Sequence, residues 1–188
     1  MNGMDIILKK SIVGVLQSRL RVFDKLNFFN LTEFDKIVSM DADMLVKENI
    51  DELFECSEFA CCRDVDENGN YKNLNSGLMV LKPQLDLFID MIDKLNNLNN
   101  IVPPISLPPN QFFCYSDQDF LSDYFNNVYI ELPYIYNCMT HYYCNHPELM
   151  EKCKVVHYIG LKPWEIEMRN APAHYMMPWY KTELKMMS

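Results

Sequence analysis

Two aspartates one residue apart, Asp41 and Asp43, follow an apolar run that ends at Met40. Two carboxylates held this close repel each other unless a positive charge lies between them. In a strand, alternate residues face the same side, so the pair could converge on one ion. Oxygen ligands of this kind suit Mg²⁺ or Mn²⁺. The alternative is a solvated acidic turn or a helix cap, which an Asp-x-Asp pattern alone does not exclude.

A second polar cluster lies in the sequence VVHYIGLKPW, where His157 follows the apolar pair Val155-Val156. Neutral imidazole is a suitable ligand for Mn²⁺. Gly160 permits close approach of the backbone to a ligand, and Lys162 could neutralise a phosphate group. A lone strand histidine is more often structural, but these residue types in one short turn favour a ligand site.

Two further segments carry polar side chains at the start of an element. Asn75, Ser76 and Gly77 precede the apolar run LMVL, where the simplest interpretation is a turn into a strand. Asp117 and Gln118 begin the pattern DQDFLSDYF. A helix N-cap explains Asp117 but not Gln118.

The elements that would position these residues alternate between strand and helix along the chain. Strands are predicted in FDKIVSM, FACCR, SGLMVLKP, NVYIELP and CKVVHYI, and helices in QLDLFIDMIDKLNNL, DQDFLSDYF and PWYKTELKMM. Part of SIVGVLQSRLRVFDKLNFFNL also has helical spacing, and its Lys25 is interpreted from spacing alone as an exposed lysine. ENIDELFE predicts a helical turn capped by Glu48 or Asn49, DENGN a turn with Asn68 and Gly69 at positive φ, and VPPISLPPN a loop. The alternation indicates a mixed α/β architecture in one domain, residues 1–188.

The amino-acid composition indicates the broad class of protein to which the chain belongs. Of the 188 residues, 49% are hydrophobic and 13% aromatic, which is enough for a real core. The net charge of -9 argues against a general binder of nucleic acid or anionic membranes, because those partners attract basic patches. The seven scattered cysteines are expected to be reduced thiols. With no signal-peptide pattern in MNGMDIILKK and no long apolar stretch, we expect a cytoplasmic protein without a membrane span.

Four ordered segments together resemble glycosyltransferase family 8, the family of glycogenin, galactinol synthase and the plant xylan glucuronosyltransferases. They are FDKLNFFNLTEFDKIVSMDADMLVKENIDELFE, NSGLMVLKP, SDQDFL and VVHYIGLKPW, and they run from Phe23 to Trp164 in the order of the family. The resemblance implies a GT-A fold, a Rossmann-like nucleotide-diphospho-sugar transferase fold with a mixed central sheet flanked by helices. The family carries about a half-Rossmann unit before the helix that contains Lys25, so we expect this fold to be shortened at its N-terminus.

The resemblance also implies a retaining glycosyltransferase with a UDP-sugar donor. Mn²⁺ or Mg²⁺ would be held against the donor diphosphate by the metal ligands Asp41, Asp43 and His157. The implied donor-binding residues are Asp41, Ala42, Asp43, Asn75, Ser76, Gly77, Gly160 and Lys162, and the implied catalytic residues are Lys25, Asp117 and Gln118. The acceptor could be a glycan, a polyol or a protein. We expect no nucleic-acid partner, and a homodimer is an open alternative to a monomer.

Two other interpretations stay open. One keeps the fold as a catalytically degenerate or partial binding module, because the N-terminal part is short. The other is a phosphohydrolase of the haloacid-dehalogenase type, in which the first aspartate of a strand-Asp-x-Asp motif is a nucleophile. We rank it last, because that family requires a small hydroxyl residue or valine where Leu45 stands and an acidic motif downstream. The sequence does not decide between front-face and double displacement.

Overall fold

The computed structural model describes residues 20–98, 116–126, 128–160, 162–165 and 179. The chain divides into two compact units, Met1–Asp35 with Lys82–Asn126 and Lys36–Leu81 with Asn127–Ser188. The predicted loop VPPISLPPN and, apart from Trp179, the predicted helix PWYKTELKMM lie outside the described residues. The prediction of a single domain stays a prediction.

The described part of the first unit is helical. A 3₁₀ helix spans Leu20–Asn30, α1 spans Leu85–Leu98 and α2 spans Asp117–Phe125, as the apolar spacing predicted. Leu26 and Phe29 of the first helix are buried, so its apolar side faces the interior of the unit. None of the helices in the described ranges combines the length and the apolar character that crossing a bilayer requires.

The start of α2 corrects one prediction. Ser116, not Asp117, is the N-cap: its Oγ accepts a hydrogen bond from the backbone N–H of Asp119, at 3.2 Å. The Asp119 carboxylate in turn accepts one from the backbone N–H of Ser116, at 2.9 Å. These two hydrogen bonds form a capping box, which gives two backbone N–H groups at the start of the helix an acceptor. The side chain of Asp117 is therefore not used for capping.

The second unit contains both described sheets. Its strands are β1 (Ile37–Met40), β2 (Met44–Val46), β3 (Ala60–Val65), β4 (Tyr71–Leu81), β5 (Ile130–Glu131), β6 (Cys138–Met139) and β7 (Val155–His157). One sheet has the order β1-β4-β3-β5 and the other β2-β7-β6. Both are mixed, since β5 runs parallel to β3 and β6 runs parallel to β7, whereas the other pairs are antiparallel. Five of the strands were predicted, and β2 and β6 were not.

A short turn joins β3 to β4. The turn between β3 and β4 has Gly69 at φ 83°, whereas Asn68 is not at positive φ, so the prediction holds for the glycine alone. Asp66 organises this turn, because its Oδ1 accepts hydrogen bonds from the backbone N–H groups of Asn68 and Asn70, each at 2.9 Å. Short helical segments lie at Asp51–Glu55, Tyr134–Tyr136, Thr140–Tyr143 (α3) and Pro147–Met150 (α4).

The turn predicted in ENIDELFE is confirmed as a 3₁₀ helix, Asp51–Glu55. Ile50 occupies its N-cap position and makes no side-chain cap. The Oδ1 atom of Asn49 accepts a hydrogen bond from the backbone N–H of Asp51, at 2.9 Å. Of the two capping residues predicted, Asn49 therefore holds the start of the turn.

The cysteines divide into two groups. Cys138, in β6, forms a disulfide with Cys153, just before β7, so the expectation of reduced thiols is wrong for this pair. Cys61 and Cys62 are free and buried in β3. Burial raises the pKa of both thiols far above the ordinary value, which makes them inert packing groups.

Candidate metal and donor site

The two aspartates lie in the turn between β1 and β2. The backbone N–H of Met44 donates to the carbonyl of Asp41, at 3.2 Å, and so closes the turn. Asp41 N–H donates to the carbonyl of Gly77 in β4, at 2.8 Å, and Tyr158 N–H donates to the carbonyl of Asp43, at 2.9 Å. The expectation that strand alternation brings the carboxylates together is therefore wrong. A turn that is tied to both sheets holds them instead.

His157 ends β7 and lies opposite Met44 in the β2–β7 register. Its Nε2 is 3.3 Å from Oδ1 of Asp43 and 3.8 Å from Oδ2 of Asp41. One ligand atom from each of the three residues lies within 4.8 Å of the other two. Ligands of an octahedral ion at about 2.1 Å are about 3 Å apart, so a small contraction would bring these atoms to one ion.

The chemistry of the three groups fits a divalent cation. Two carboxylates and one imidazole nitrogen form a mixed oxygen and nitrogen set, which suits a first-row divalent ion. The histidine is buried and the aspartates are half-buried, so the pocket is partly shielded from water. Asp41, Asp43 and His157 therefore form a group that could hold a metal ion.

Lys162 reaches the same aspartate. Its Nζ donates hydrogen bonds to Oδ2 of Asp43 and to the carbonyl of Tyr158. Burial alone would raise the pKa of Asp43, but the hydrogen bond from Lys162 and the charges of His157 and Lys162 lower it. The net pKa of Asp43 is below its ordinary value, so the carboxylate is held in the ionised form that binds a cation.

Glycine is favoured at two positions of the site, each for a different structural reason. Gly77 packs directly beneath the imidazole of His157, and a side chain at this position would overlap the ring. Gly160 has φ 84°, and an added Cβ there would meet no atom within 4 Å. Crowding therefore favours glycine at position 77, whereas backbone conformation favours it at position 160.

The sequence reasoning missed one residue at the site, Asn137. It is fully buried just before β6, and its Oδ1 is 2.9 Å from Nδ1 of His157. Its amide Nδ2 donates to Oδ1 of Asn75, at 2.8 Å. The signal was a single amide in the otherwise apolar and aromatic segment LPYIYNCM, because a buried amide must find hydrogen-bond partners.

The other predicted donor-binding residues lie in the same unit. Ala42 is exposed at the tip of the aspartate turn. Asn75 and Ser76 are buried in β4 beside Gly77. Their roles toward a donor stay predictions.

The predicted catalytic residues lie in the first unit. Asp117 is 8% exposed, and its Oδ2 is 3.4 Å from Nζ of Lys25. This oxygen is an ion-pair partner of the lysine, but it accepts no hydrogen bond from the described residues. Gln118 follows it and is half-buried. The structure thus brings Lys25 and Asp117 together.

A sequence model described as "Glycosyl transferase family 8" matches residues 17–167, most of the chain. The chain belongs to glycosyltransferase family 8. Galactinol synthase 1 from Solanum lycopersicum is 33% identical to this family 8 chain over 167 residues, with 76% of the chain and 49% of the relative covered. A putative UDP-glucuronate:xylan alpha-glucuronosyltransferase 5 from Arabidopsis thaliana is 32% identical over 148 residues, with 76% and 23% covered. The family 8 chain spans half or less of the length of these relatives.

Solved structures confirm the GT-A fold expected for this family 8 chain. An active-site mutant of LgtC matches 94% of the chain and 72% of its own length, with a TM-score of 0.61 and 15% identity. The glycosyltransferase GlyE from Streptococcus pneumoniae matches 86% of the chain and 46% of its own length, with a TM-score of 0.56 and 18% identity. At these identities the similarity concerns the fold alone.

Proposed function

We propose that this chain provides the donor site of a metal-dependent, retaining glycosyltransferase that uses a UDP-sugar. The observation that supports this most is the approach of Asp41, Asp43 and His157 to within 4.8 Å of one another in a chain of family 8. The name of one relative specifies UDP-glucuronate, which favours a uridine donor. Membership in family 8 leaves the phosphohydrolase interpretation without support.

The leaving group of such a transfer is a nucleoside diphosphate, whose departure builds negative charge. Asp41, Asp43 and His157 would hold Mn²⁺, or Mg²⁺, which when bound supplies positive charge against that diphosphate. The ammonium group of Lys162 already lies beside Asp43 and would add a second positive charge. The positive φ of Gly160 turns the backbone just before this lysine.

The sugar side of the proposal rests on the first unit and on the family resemblance. Asp117 would accept a hydrogen bond from a sugar hydroxyl, and its Oδ2 has acceptor capacity because no described residue donates to it. Gln118 would lie beside the anomeric carbon, where positive charge develops. Lys25 would contact the phosphates and the sugar, and it already pairs with Asp117. The acceptor, a glycan, a polyol or a protein, belongs to the same proposal.

A cytoplasmic location and a homodimer also stay proposals. The free thiols of Cys56, Cys61 and Cys62 support a reducing compartment. The Cys138–Cys153 disulfide opposes it, since disulfides are rare in the cytosol. Alkylation of the protein after rapid acid quenching of cells, followed by mass spectrometry, counts the oxidised pairs. Light scattering gives the oligomeric state.

The decisive experiment measures Mn²⁺ binding by calorimetry, then UDP binding with Mn²⁺ present, then hydrolysis of a panel of UDP-sugars. We expect Mn²⁺-dependent UDP binding and release of UDP from one donor. Asp43→Asn should lose Mn²⁺ binding and turnover together. Asp51→Asn, which changes an exposed aspartate of the same unit, should keep both.

The other outcomes separate the alternatives. A folded protein that binds neither Mn²⁺ nor UDP would contradict the enzyme and favour a degenerate module of the same fold. Unchanged turnover in Asp43→Asn would remove the metal assignment.

A further inference from the structure

A chain of polar side chains leads from β3 to the histidine of the metal site. It runs from Asp64 to Asn75 at 3.0 Å, from Asn75 to Asn137 at 2.8 Å, and from Asn137 to His157 at 2.9 Å. The last three residues are between 0% and 4% exposed. A buried polar atom without a partner costs about 1–3 kcal/mol, so each atom in this chain must match its neighbour as donor or acceptor.

The orientation of Asn75 is fixed by a group that can only donate. The backbone N–H of Gly77 lies 2.9 Å from one terminal atom of the Asn75 side chain, so that atom must be the oxygen. The other terminal atom lies 3.0 Å from Oδ1 of Asp64, and a carboxylate oxygen accepts. Both ends of the Asn75 amide therefore agree on one orientation.

The orientation of Asn137 follows from that of Asn75. The oxygen of Asn75 accepts, so the Asn137 atom 2.8 Å away must be the amide nitrogen. The Asn137 oxygen then faces Nδ1 of His157 at 2.9 Å. Because two acceptors at this distance would repel, Nδ1 must carry a proton and donate it.

In neutral imidazole only one ring nitrogen carries a proton. Asn137 keeps the proton on Nδ1 whether the ring is neutral or an imidazolium, so Nε2, the atom that lies 3.3 Å from Asp43 and 3.8 Å from Asp41, is the nitrogen that can present a lone pair to an ion. We propose that Asn137 is a positioning residue of the metal site, which selects the Nδ1-protonated tautomer of His157 and so presents Nε2 to the ion. This inference rests on the proposed function, since the ion is part of it. Outer partners of this kind change metal affinity by about 10–100-fold.

The same contacts give Asn75 a different role from the sugar-binding one that the family resemblance implies. Its oxygen accepts from both Gly77 and Asn137, and its nitrogen donates to Asp64 and contacts Sδ of Met139 at 3.8 Å. An amide offers two acceptor and two donor positions, so all four are engaged within the protein. Asn75 therefore acts through Asn137 on His157.

The tautomer can be read in the metal-free protein. Long-range nitrogen–proton NMR of isotope-labelled histidine shows for each ring nitrogen whether it carries a proton. A His157→Gln variant identifies the signal of that residue among the four histidines of the chain. We expect the proton on Nδ1. An unprotonated Nδ1 of His157 in the wild-type protein would overturn the inference, with no variant required.

Variants then connect the tautomer to the ion. Asn137→Leu keeps the size of the side chain and removes its acceptor, so we expect a mixed tautomer and about tenfold weaker Mn²⁺ binding or worse. Asn137→Asp keeps an oxygen toward Nδ1 and should keep the proton there, whereas its second oxygen would face Oδ1 of Asn75 and should cost stability. Leu53→Ala leaves a cavity in the core of the same unit and should change stability alone. Unchanged tautomer and Mn²⁺ affinity in Asn137→Leu would overturn the inference.

Asn75→Ala separates positioning from sugar binding. We expect a change in the His157 tautomer and weaker Mn²⁺ binding, and a rise in the donor KM alone would show that Asn75 contacts the sugar. The failures of the two proposals are also distinct. A wild-type protein with the Nδ1 proton that binds no Mn²⁺ contradicts the metal-dependent function. Mn²⁺ binding with an unprotonated Nδ1 in the metal-free protein contradicts only the role of Asn137.

Discussion

A Cβ atom placed on Gly77 would lie 2.5 Å from Cε1 and 2.8 Å from Nδ1 of His157. The backbone of β4 and the metal-site imidazole thus touch without space for a methyl group. The backbone of Gly77 is not in the left-handed region, so alanine can adopt its conformation. The added Cβ would also lie 2.8 Å from Oδ1 of Asn75, so the clash with the ring and with this amide is the main effect of substitution.

We expect Gly77→Ala to displace His157, to weaken Mn²⁺ binding by about tenfold or more, and to destabilise the fold by about 1–3 kcal/mol. Calorimetry with Mn²⁺ and urea unfolding give the two values. Gly69→Ala is the matched control, because its Cβ would lie 2.8 Å from the Tyr142 ring and should cost stability without changing Mn²⁺ affinity. Equal Mn²⁺ affinities in the two variants would contradict the prediction that Gly77→Ala displaces His157.

Lys162 sets the ionisation of Asp43. The folded pKa of Asp43 is below its ordinary value of 3.8, so its ionised form stabilises the fold above that pH. This contribution is lost as the pH falls through the lowered pKa. In Lys162→Gln the burial and the charge of His157 stay, whereas the hydrogen bond and charge of the lysine are lost, so we expect the pKa of Asp43 to rise. Carboxyl NMR titration of the metal-free protein measures it.

Lys154→Gln serves as the comparison for that titration. Lys154 holds the pKa of Glu52 at about 2 through a hydrogen bond, so this variant should raise the pKa of Glu52 and leave that of Asp43 unchanged. A pKa of Asp43 that does not respond to Lys162→Gln would show that the lysine is not its main partner.

The Cys138–Cys153 disulfide closes a loop of fifteen residues between β6 and β7. Loop-closure entropy predicts that such a cross-link stabilises the protein by about 3 kcal/mol. We expect the double variant Cys138→Ala/Cys153→Ala to lose about 3 kcal/mol of unfolding free energy and therefore to unfold at a lower urea concentration. Cys144→Ala, which removes a half-buried free thiol, should change the midpoint little. The same urea midpoint for both variants would mean that the cross-link does not constrain the unfolded chain.

Asp117 and Asp119 occupy one helical turn with different roles. Asp117→Asn removes the charge that pairs with Lys25, and we expect it to lower kcat of the proposed transfer by about 10²–10³ while Mn²⁺ affinity is kept. Asp119→Ala breaks the capping box and should cost about 1 kcal/mol of stability with kcat retained. Single-turnover assays and urea unfolding measure both effects. A retained kcat in Asp117→Asn would remove this residue from the chemistry.

The sequence predicted the elements with strong apolar patterns. β1, β3, β4 and the helices α1 and α2 each contain enough residues for their spacing to be recognised. β2 and β6 have three and two residues, and β5 and β7, which are as short, were predicted only from the longer segments NVYIELP and CKVVHYI in which they lie. β2 and β6 form through pairing with β7, a long-range contact that local sequence does not show.

The sequence predicted the residues that could bind the metal ion, but it did not predict the residues that position them. Carboxylates and imidazole are recognisable as ligands from residue type, and Gly77 from its place before the apolar run LMVL. The role of Asn137 depends on a register in which Met139 lies opposite His157, so only the assembled sheet shows it. The cap at Ser116 was missed because Ser116 and Asp117 are both good capping residues, and Asp119 decides between them.

The acidic turn and the histidine come from distant parts of the polypeptide and meet only through the pairing of β2 with β7. During synthesis, the aspartates leave the ribosome long before β7, the last strand in the described part of the chain. A nascent chain would therefore offer two carboxylates to solution ions but no complete chelate. Tight capture of the proposed manganese ion would then report that β7 has docked against β2.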